Sequence, residues 1–515
     1  MTVSTVSYPY LNNSLLFKSF LMKRYLFVTL LLLLSIGLRA QEKLGIANSN
    51  YAGVTGLDLN PSSMVDSRLK WDVNIIGADI FLQNNYVYVP NIFNPVSSRT
   101  DTVTKSYSYL KDYYTPNPTK NVYMSIAMRL PSVMFRIRRH TFAILTGYRT
   151  GLSINDLDYR LARFAFAEQH LKYGPQQNML INSGGFKIAG MTWGEIGLSY
   201  GYKIRNTERY SLSAAVTVKR TFANMGVFLN NSLFSYKVVP SGEDQNLNFY
   251  NLDMTYGHAG LGGSSFFSGG GFGFDAGFTY IRKKKPEGFV RYFSKGKIQP
   301  YDYKIGLSII DLGSISFNDD ARINHVTSPQ DTLKIWNGVN QVSLKDLTAF
   351  DQNFSNILYN DPNRSYLSNS FIIGLPTAVS LQADFNLNDK FYLNGTWVQS
   401  TPIVTPAIIR PSQVGIALRY ETKYFEVGLP YSLYNYTDHR IGLAFRLGPL
   451  IVGSDKLGAF MGLNDFTGAD IYFAIKVMAL RENEGGYDPN RCFYKRIFAR
   501  FKKKRAVYRT PVVKF

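Results

Sequence analysis

The chain has 515 residues, of which 45% are hydrophobic, 15% aromatic and only 18% charged, with 36 Tyr, 36 Phe and 42 Gly. That is too apolar and aromatic for a disordered chain, and a single Cys (Cys492) excludes a disulfide scaffold and a multi-Cys metal site. The net charge of +21 is uneven, with +4 in residues 1–40, +8 in residues 481–515 and +9 in the body between, so the body is not a basic nucleic-acid surface and no nucleic-acid partner is expected.

The first element is an address. Residues 25–38 (YLFVTLLLLLSIGL) form an apolar run, preceded by Lys23 and Arg24 and followed by Arg39 and Ala40. The run is short for a membrane-spanning helix. A basic start, an apolar middle and a small residue at the end make a secretory signal peptide. The signal is expected over 1–40, with 1–21 an over-extended start upstream of Met22. No later run is long and apolar enough for a helical span.

Residues 41–69 follow as a small-residue segment containing Asn60-Pro61. Asn before Pro favours a turn, and Pro61 suits the first turn of a short helix. Two readings stand: a capped turn leading into the first strand, and a plug-like segment that gates a lumen.

From residue 70 to 480 the chain alternates with period two. Ile196, Leu198, Tyr200 and Tyr202 alternate with Glu195, Gly197, Ser199, Gly201 and Lys203. Phe272, Phe274, Ala276 and Phe278 alternate with Gly273, Asp275 and Gly277. The same holds near Val379–Leu387, Val414–Tyr420, Ile441–Leu447 and Ala469–Val477. The strands reach about nine to eleven residues, the length that crosses a tilted bilayer. One face is aliphatic and aromatic. The other carries Gly, Ser and sparse charges, which suits a confined lumen. Tyr202, Tyr210, Tyr280, Tyr420 and Tyr424 fall at strand ends, where interface girdles sit. Short turns at 205–208, 387–390, 421–423 and 448–449 contrast with longer polar segments at 90–120, 238–268, 319–370 and 400–410. The fold expected is all-β: a transmembrane antiparallel β-barrel of about 14 strands, within a range of 12–16.

The inward face then defines the candidate lumen charges: Glu195, Lys203, Lys219, Asp275, Asp384, Arg419, Glu421, Arg446, Asp470 and Lys476. Opposite charges on adjoining strands can brace the wall and hold its register. The other reading is a selective polar path for solutes. Residues 156–171 (DLDYRLARFAFAEQHL) depart from period two toward helical spacing, which predicts a short amphipathic loop helix.

The tail, 481–515, is basic. Its last 25 residues hold ten bases and no acid, interleaved with Phe493, Tyr494, Phe498, Phe501, Tyr508 and Phe515. It follows the last strand into the periplasm. There it lies on an anionic membrane surface, binds an envelope protein, or remains a disordered basic extension.

Local catalytic signatures are missing. The five His have no metal-ligand spacing, the Gly-rich stretch 257–274 lacks Gly-Lys-Ser/Thr, and there is no GxSxG. No enzyme, metal or cofactor is expected.

Residues 51–71 (YAGVTGLDLNPSSMVDSRLKW) resemble the opening segment of the long-chain fatty-acid transporter barrels. Asn60 and Pro61 match that family's Asn-Pro motif, with Ser62 where a small Ala is usual. Residues 269–281 (GGGFGFDAGFTYI) and 303–315 (YKIGLSIIDLGSI) are similar to its mid-barrel strands. Residues 375–387 and 446–460 resemble an uncharacterised outer-membrane family of Bacteroidota related to those transporters. The resemblance implies a barrel in the cell outer membrane, in contact with its lipid, passing small, apolar molecules passively, with a small hydrophobic ligand. The alternative is a non-transporting barrel that scaffolds an envelope or secretion complex, with a protein partner held through the tail 481–515.

Overall fold

The computed structural model describes residues 43–88, 111–112, 119–164, 176, 178–241, 244–261, 267–284, 300–328, 334–336, 347–388, 390–460 and 467–480. The expected signal peptide, the loop beyond Phe164 and the basic tail lie outside the described residues.

Fourteen wall strands form one antiparallel ring. They are β1 (Leu69–Asn84), β2 (Thr119–Arg129 and Ser132–Ile137), β3 (His140–Asp158), β4 (Leu180–Ser183 and Phe186–Asn206) and β5 (Tyr210–Ser241). Next come β6 (Asp244–Ala259 and Gly269–Lys283), β7 (Tyr301–Phe317, Ala321–Ser328 and Lys334–Trp336) and β8 (Tyr366–Ser368, Phe371–Gly374 and Ala378–Asn388). The ring continues through β9 (Phe391–Ser400), β10 (Gln413–Glu421), β11 (Phe425–Tyr434), β12 (Asp438–Ile441 and Leu443–Leu447), β13 (Leu450–Ser454) and β14 (Asp470–Leu480). β14 pairs back onto β1 from Leu480↔Leu69 to Asp470↔Phe81, which closes the ring and leaves it without a free edge strand.

The alternation sorts the two faces. On β4, Ile196 and Leu198 are 51% and 62% exposed, while Glu195 and Lys203 are 5% and 7% exposed. Phe272, Phe274, Phe278, Leu381, Phe385, Val414, Ile416 and Leu418 all look outward. This is the inverse of a water-soluble protein and the arrangement of an outer-membrane-type barrel. Aromatic rings form a girdle around one end: Tyr210 stacks on Tyr280, Tyr280 meets Tyr303, Tyr303 meets Phe385, and Tyr420 lies between Phe391 and Phe425. β2/β3, β4/β5, β8/β9, β10/β11 and β12/β13 are separated by two or three residues at that same end. Gly448 turns the last of these with φ +56°, a conformation that glycine adopts without strain.

Two expectations about the other end change, and a third is described only in part. Residues 238–268 are not one loop, because β5 runs to Ser241 and Asp244–Ala259 returns along it in register. Residues 319–370 contain the paired strand Ala321–Ser328 and a 13-residue helix, Leu347–Tyr359. The described part of the loop helix covers only Tyr159–Arg163, capped by the Asp158 carboxylate, which accepts from Arg160 N. β5, with 32 residues, spans roughly 100 Å along its path, several times a bilayer crossing. β5, β6 and β7 therefore rise beyond the lipid as a sheet with its own core of Phe234, Tyr236, Val238, Phe249, Leu252 and Val326. Phe354 and Leu358 of the helix pack on that core, and its buried Asp351 meets His258 and Arg322, each at 3.0 Å. These polar-rich segments hide their strand pattern because burial there comes from a helix rather than from lipid.

Candidate functional site

Residues 43–68 lie inside the ring and are tied to the wall both by polar contacts and by buried apolar ones: Val54, Leu57, Met64 and Val65 pack on Met134, Ala143, Leu145 and Ala215, Ile46 on Ala444 and Ile451, and Leu59 on Ile310 and Val398. A short 3-10 helix (Gly53–Asp58) and one helical turn (Ser63–Asp66) give them a compact shape. Between the two, Asn60 closes the turn that leads into Ser63–Asp66: its Oδ1 accepts from Ser62 N at 2.9 Å and Ser62 Oγ at 2.7 Å. Its Nδ2 donates to Gln382 Oε1 at 2.9 Å. The wall makes room with glycine. A Cβ on Gly277 would lie 2.1 Å from Asn60 Oδ1 and 3.0 Å from Pro61, and one on Gly306 would lie 2.7 Å from Asn60 Nδ2. A water-sized cavity of ≈ 30 Å³ borders the segment at Asn48, Asn60, Lys304, Gln382 and Asp384.

Around this segment the predicted lumen charges are all buried, and they form two groups. The first lies near the girdle. Arg419 donates to Glu421 at 2.9 Å and meets Asp384 at 3.1 Å, and Glu421 accepts from Asn50 Nδ2 at 2.8 Å. Arg446 meets Glu426, which accepts from Ser49 Oγ at 2.8 Å. Lys203 meets Asp66 of the plug segment at 2.5 Å. Lys476 meets Asp72 at 2.7 Å and donates to the Ala52 carbonyl. Asp72 also accepts from Val54 N at 2.7 Å, and a Cβ on the neighbouring Gly53 (φ +56°) would lie 2.1 Å from the Asp72 carboxylate.

The second group lies higher. Lys219 Nζ is 2.8 Å from both Asp275 and Asp311. Arg149 forks onto Asp311 at 2.8 and 3.0 Å, and Arg410 reaches it at 2.6 Å. Glu195 faces Arg129 and Arg149 at 3.5 Å. Arg129 pairs with Asp58 of the plug segment, and Lys43 meets Asp58 and Asp79. Asp470 stands apart, beside Arg440 and the Asp455 backbone.

Above these charges the lumen turns apolar. Ala189, Met191, Trp193, Phe228, Ile315, Phe317, Phe371, Ile373 and Leu375 form one buried cluster with Ile408. Ile408 belongs to neither wall strand beside it. It comes from the loop between β9 and β10, which folds inward, held by Gly374 N donating to Pro406 O, Ile408 N to Gly374 O, and Arg410 on Asp311. Higher still, a polar bowl of ≈ 620 Å³ opens among Asn84, Asn121, Tyr123, Asn155, Asn435 and Thr467.

The description of a family of unknown function, DUF5723, matches residues 61–455. The chain belongs to that family. No curated protein matches its sequence. Among solved structures, the DUF5723 barrel is similar to the Pseudomonas putida toluene transporter TodX, at 10% identity and TM-score 0.35, covering 84% of this chain and 94% of that one. It is similar to a Pseudomonas aeruginosa FadL homologue at 12% identity and TM-score 0.35, covering 85% and 97%. It also resembles the outer membrane protease OmpT of Escherichia coli, at 7% identity and TM-score 0.24, covering 79% and 96%.

The DUF5723 barrel brings together more charge than the alternation reveals. Asp311 sits at a bulge where the β6–β7 register shifts, with φ +54°, so period two places it on the wrong face. Its N–H donates to Asp275 at 2.7 Å, which sets the two carboxylates side by side. Arg410 lies in a loop, and Asp58, Asp66 and Lys43 lie in the plug segment, where no strand period applies. Arg149, flanked by inward Gly147 and Gly151, is legible in β3 by the same alternation that marks Glu195.

Proposed function

We propose that the protein is an outer-membrane passage for small apolar molecules, gated by residues 43–68 and by the loop that carries Ile408. The observation that supports this most is the buried apolar layer above the charge groups, to which no residue of 43–68 contributes. Near the charge groups, inward apolar wall residues such as Met134, Ala143 and Leu145 are covered by Val54, Leu57 and Met64 of residues 43–68; the upper layer is covered by Ile408 instead. A small apolar solute gains about 25 cal/mol per Å² on entering such a layer from water. Ile408 is the piece that would leave, because it is carried by a loop and not by a wall strand. The solute would then take its place and move on when the plug segment shifts.

The test is uptake by liposomes containing the purified chain, with an aromatic hydrocarbon as solute. Ile408→Ala is expected to raise uptake several-fold, and Ile373→Asp to lower it toward protein-free liposomes. If neither the natural chain nor Ile408→Ala exceeds protein-free liposomes, the reading fails.

The sheet that β5–β7 build beyond the lipid supports a second reading, a barrel that scaffolds an envelope complex. A passage does not need that extension. Capture of partners from solubilised envelopes, with and without residues 481–515, tests the tail; an unchanged partner set removes its role.

A further inference from the structure

We infer that the molecule taken up by the apolar layer is neutral and bears a hydrogen-bond acceptor (a ketone, ester or ether) recognised by Trp193 Nε1. This rests on the reading of that layer as a ligand site. Trp193 is 1% exposed, and its indole N–H has no partner among the described residues. Buried Trp N–H groups normally find one, because an unmade bond leaves the full desolvation penalty. The ring is packed within the apolar cluster, with the Arg149 guanidinium over its face at 5.1 Å.

The carboxylates paired with Arg149, which lies over the ring, are already engaged. Asp311 accepts from Arg149, Lys219 and Arg410, and Glu195 faces Arg129 and Arg149. The cations are matched in turn: Lys43, Arg129, Arg149, Lys219 and Arg410 stand against Asp58, Asp79, Glu195, Asp275 and Asp311. An anionic ligand would therefore be buried beside a neutral network with no surplus positive charge, which is unfavourable. A plain hydrocarbon would be accepted by the layer but would leave the indole N–H unmade. A neutral acceptor satisfies both conditions.

The experiment compares acetophenone with ethylbenzene, two ligands of nearly equal size and shape, on the purified full chain in detergent. Water solvates the two differently, so the informative quantity is their affinity ratio in the natural chain against that in Trp193→Phe. The ratio is expected to move about tenfold toward ethylbenzene in the variant, the scale of one buried hydrogen bond, while ethylbenzene still binds. Benzoate is expected to bind neither. A ratio unchanged by Trp193→Phe overturns the inference and leaves the apolar layer standing. Absence of binding by either neutral ligand overturns both. Should Trp193→Phe not fold, the indole ¹H–¹⁵N resonances of the natural chain decide: acetophenone is expected to shift one of them downfield, ethylbenzene none, and no shift with acetophenone overturns the inference.

Discussion

Asn60 fills the space that a side chain at Gly277 would need. The two meet across the lumen, and a Cβ at Gly277 would come within 2.1 Å of the Asn60 amide oxygen. The same Asn60 atom caps the turn at Ser62, so it cannot swing away without uncapping that turn. Gly277→Ala should therefore dislodge residues 43–68 while leaving the ladder intact, since Ala fits a strand. The expected readout is protease cleavage within 43–68 of the folded barrel, with unchanged heat-modifiable migration. Gly395→Ala, where a Cβ meets nothing within 4 Å, is the control and should stay protected. Equal protection in both variants would count against the seat.

The ring and its two faces were legible in the chain because lipid and lumen impose opposite demands on alternate residues. Phe272, Phe274 and Phe278 could only face lipid if Asp275 faced inward, and Asp275 does. The plug motif at Asn60-Pro61 was legible as a turn; its seat was not, because Gly277 and Gly306 sit far away in the chain. Asp311 escaped for a different reason: one bulge reverses the face of every residue beyond it. The helix Leu347–Tyr359 and the sheet it covers also stayed hidden, because their burial depends on a tertiary contact and not on the membrane.

The plug segment should also come loose in acid. Burial raises the Asp66 pKa, but Lys203 at 2.5 Å and the hydroxyl of Ser213 outweigh it and hold the carboxyl below 3.8. Asp58 follows the same pattern: burial raises it, and Arg129 and Lys43 bring it below 3.8. The docked segment thus binds fewer protons than the free one, so docking is at full strength above about pH 4 and weakens as pH falls below that. Asp455, which accepts from Leu44 N, runs the other way: burial and Asp470 raise it well above 3.8, so its contribution fades as pH rises. Protection of residues 43–68 from an acid-stable protease should hold at mildly acidic pH and weaken as pH falls below about 4. Asp66→Asn should weaken protection at neutral pH and flatten the acid step. An acid step unchanged in that variant would assign the effect elsewhere.

Asp311 is where the wall, the upper charge group and the inward loop meet. It alone accepts from Arg149 on β3, Lys219 on β5 and Arg410 of the loop. Asp311→Asn would leave those buried cations short of one carboxylate, a loss of about 3–5 kcal/mol when one partner of a buried pair is removed. It would also release the tether that brings Ile408 into the lumen. Two measurements separate these effects. The temperature at which the folded band converts to the unfolded one should fall in Asp311→Asn, and cleavage within 401–412 should appear. Arg410→Gln should expose the same loop with a smaller loss of stability, since Arg149 and Lys219 keep their carboxylate. Because the two residues touch, the double variant should lose about 0.5–3 kcal/mol less than the sum of the singles. Strict additivity would mean that Arg410 does not anchor the loop through Asp311.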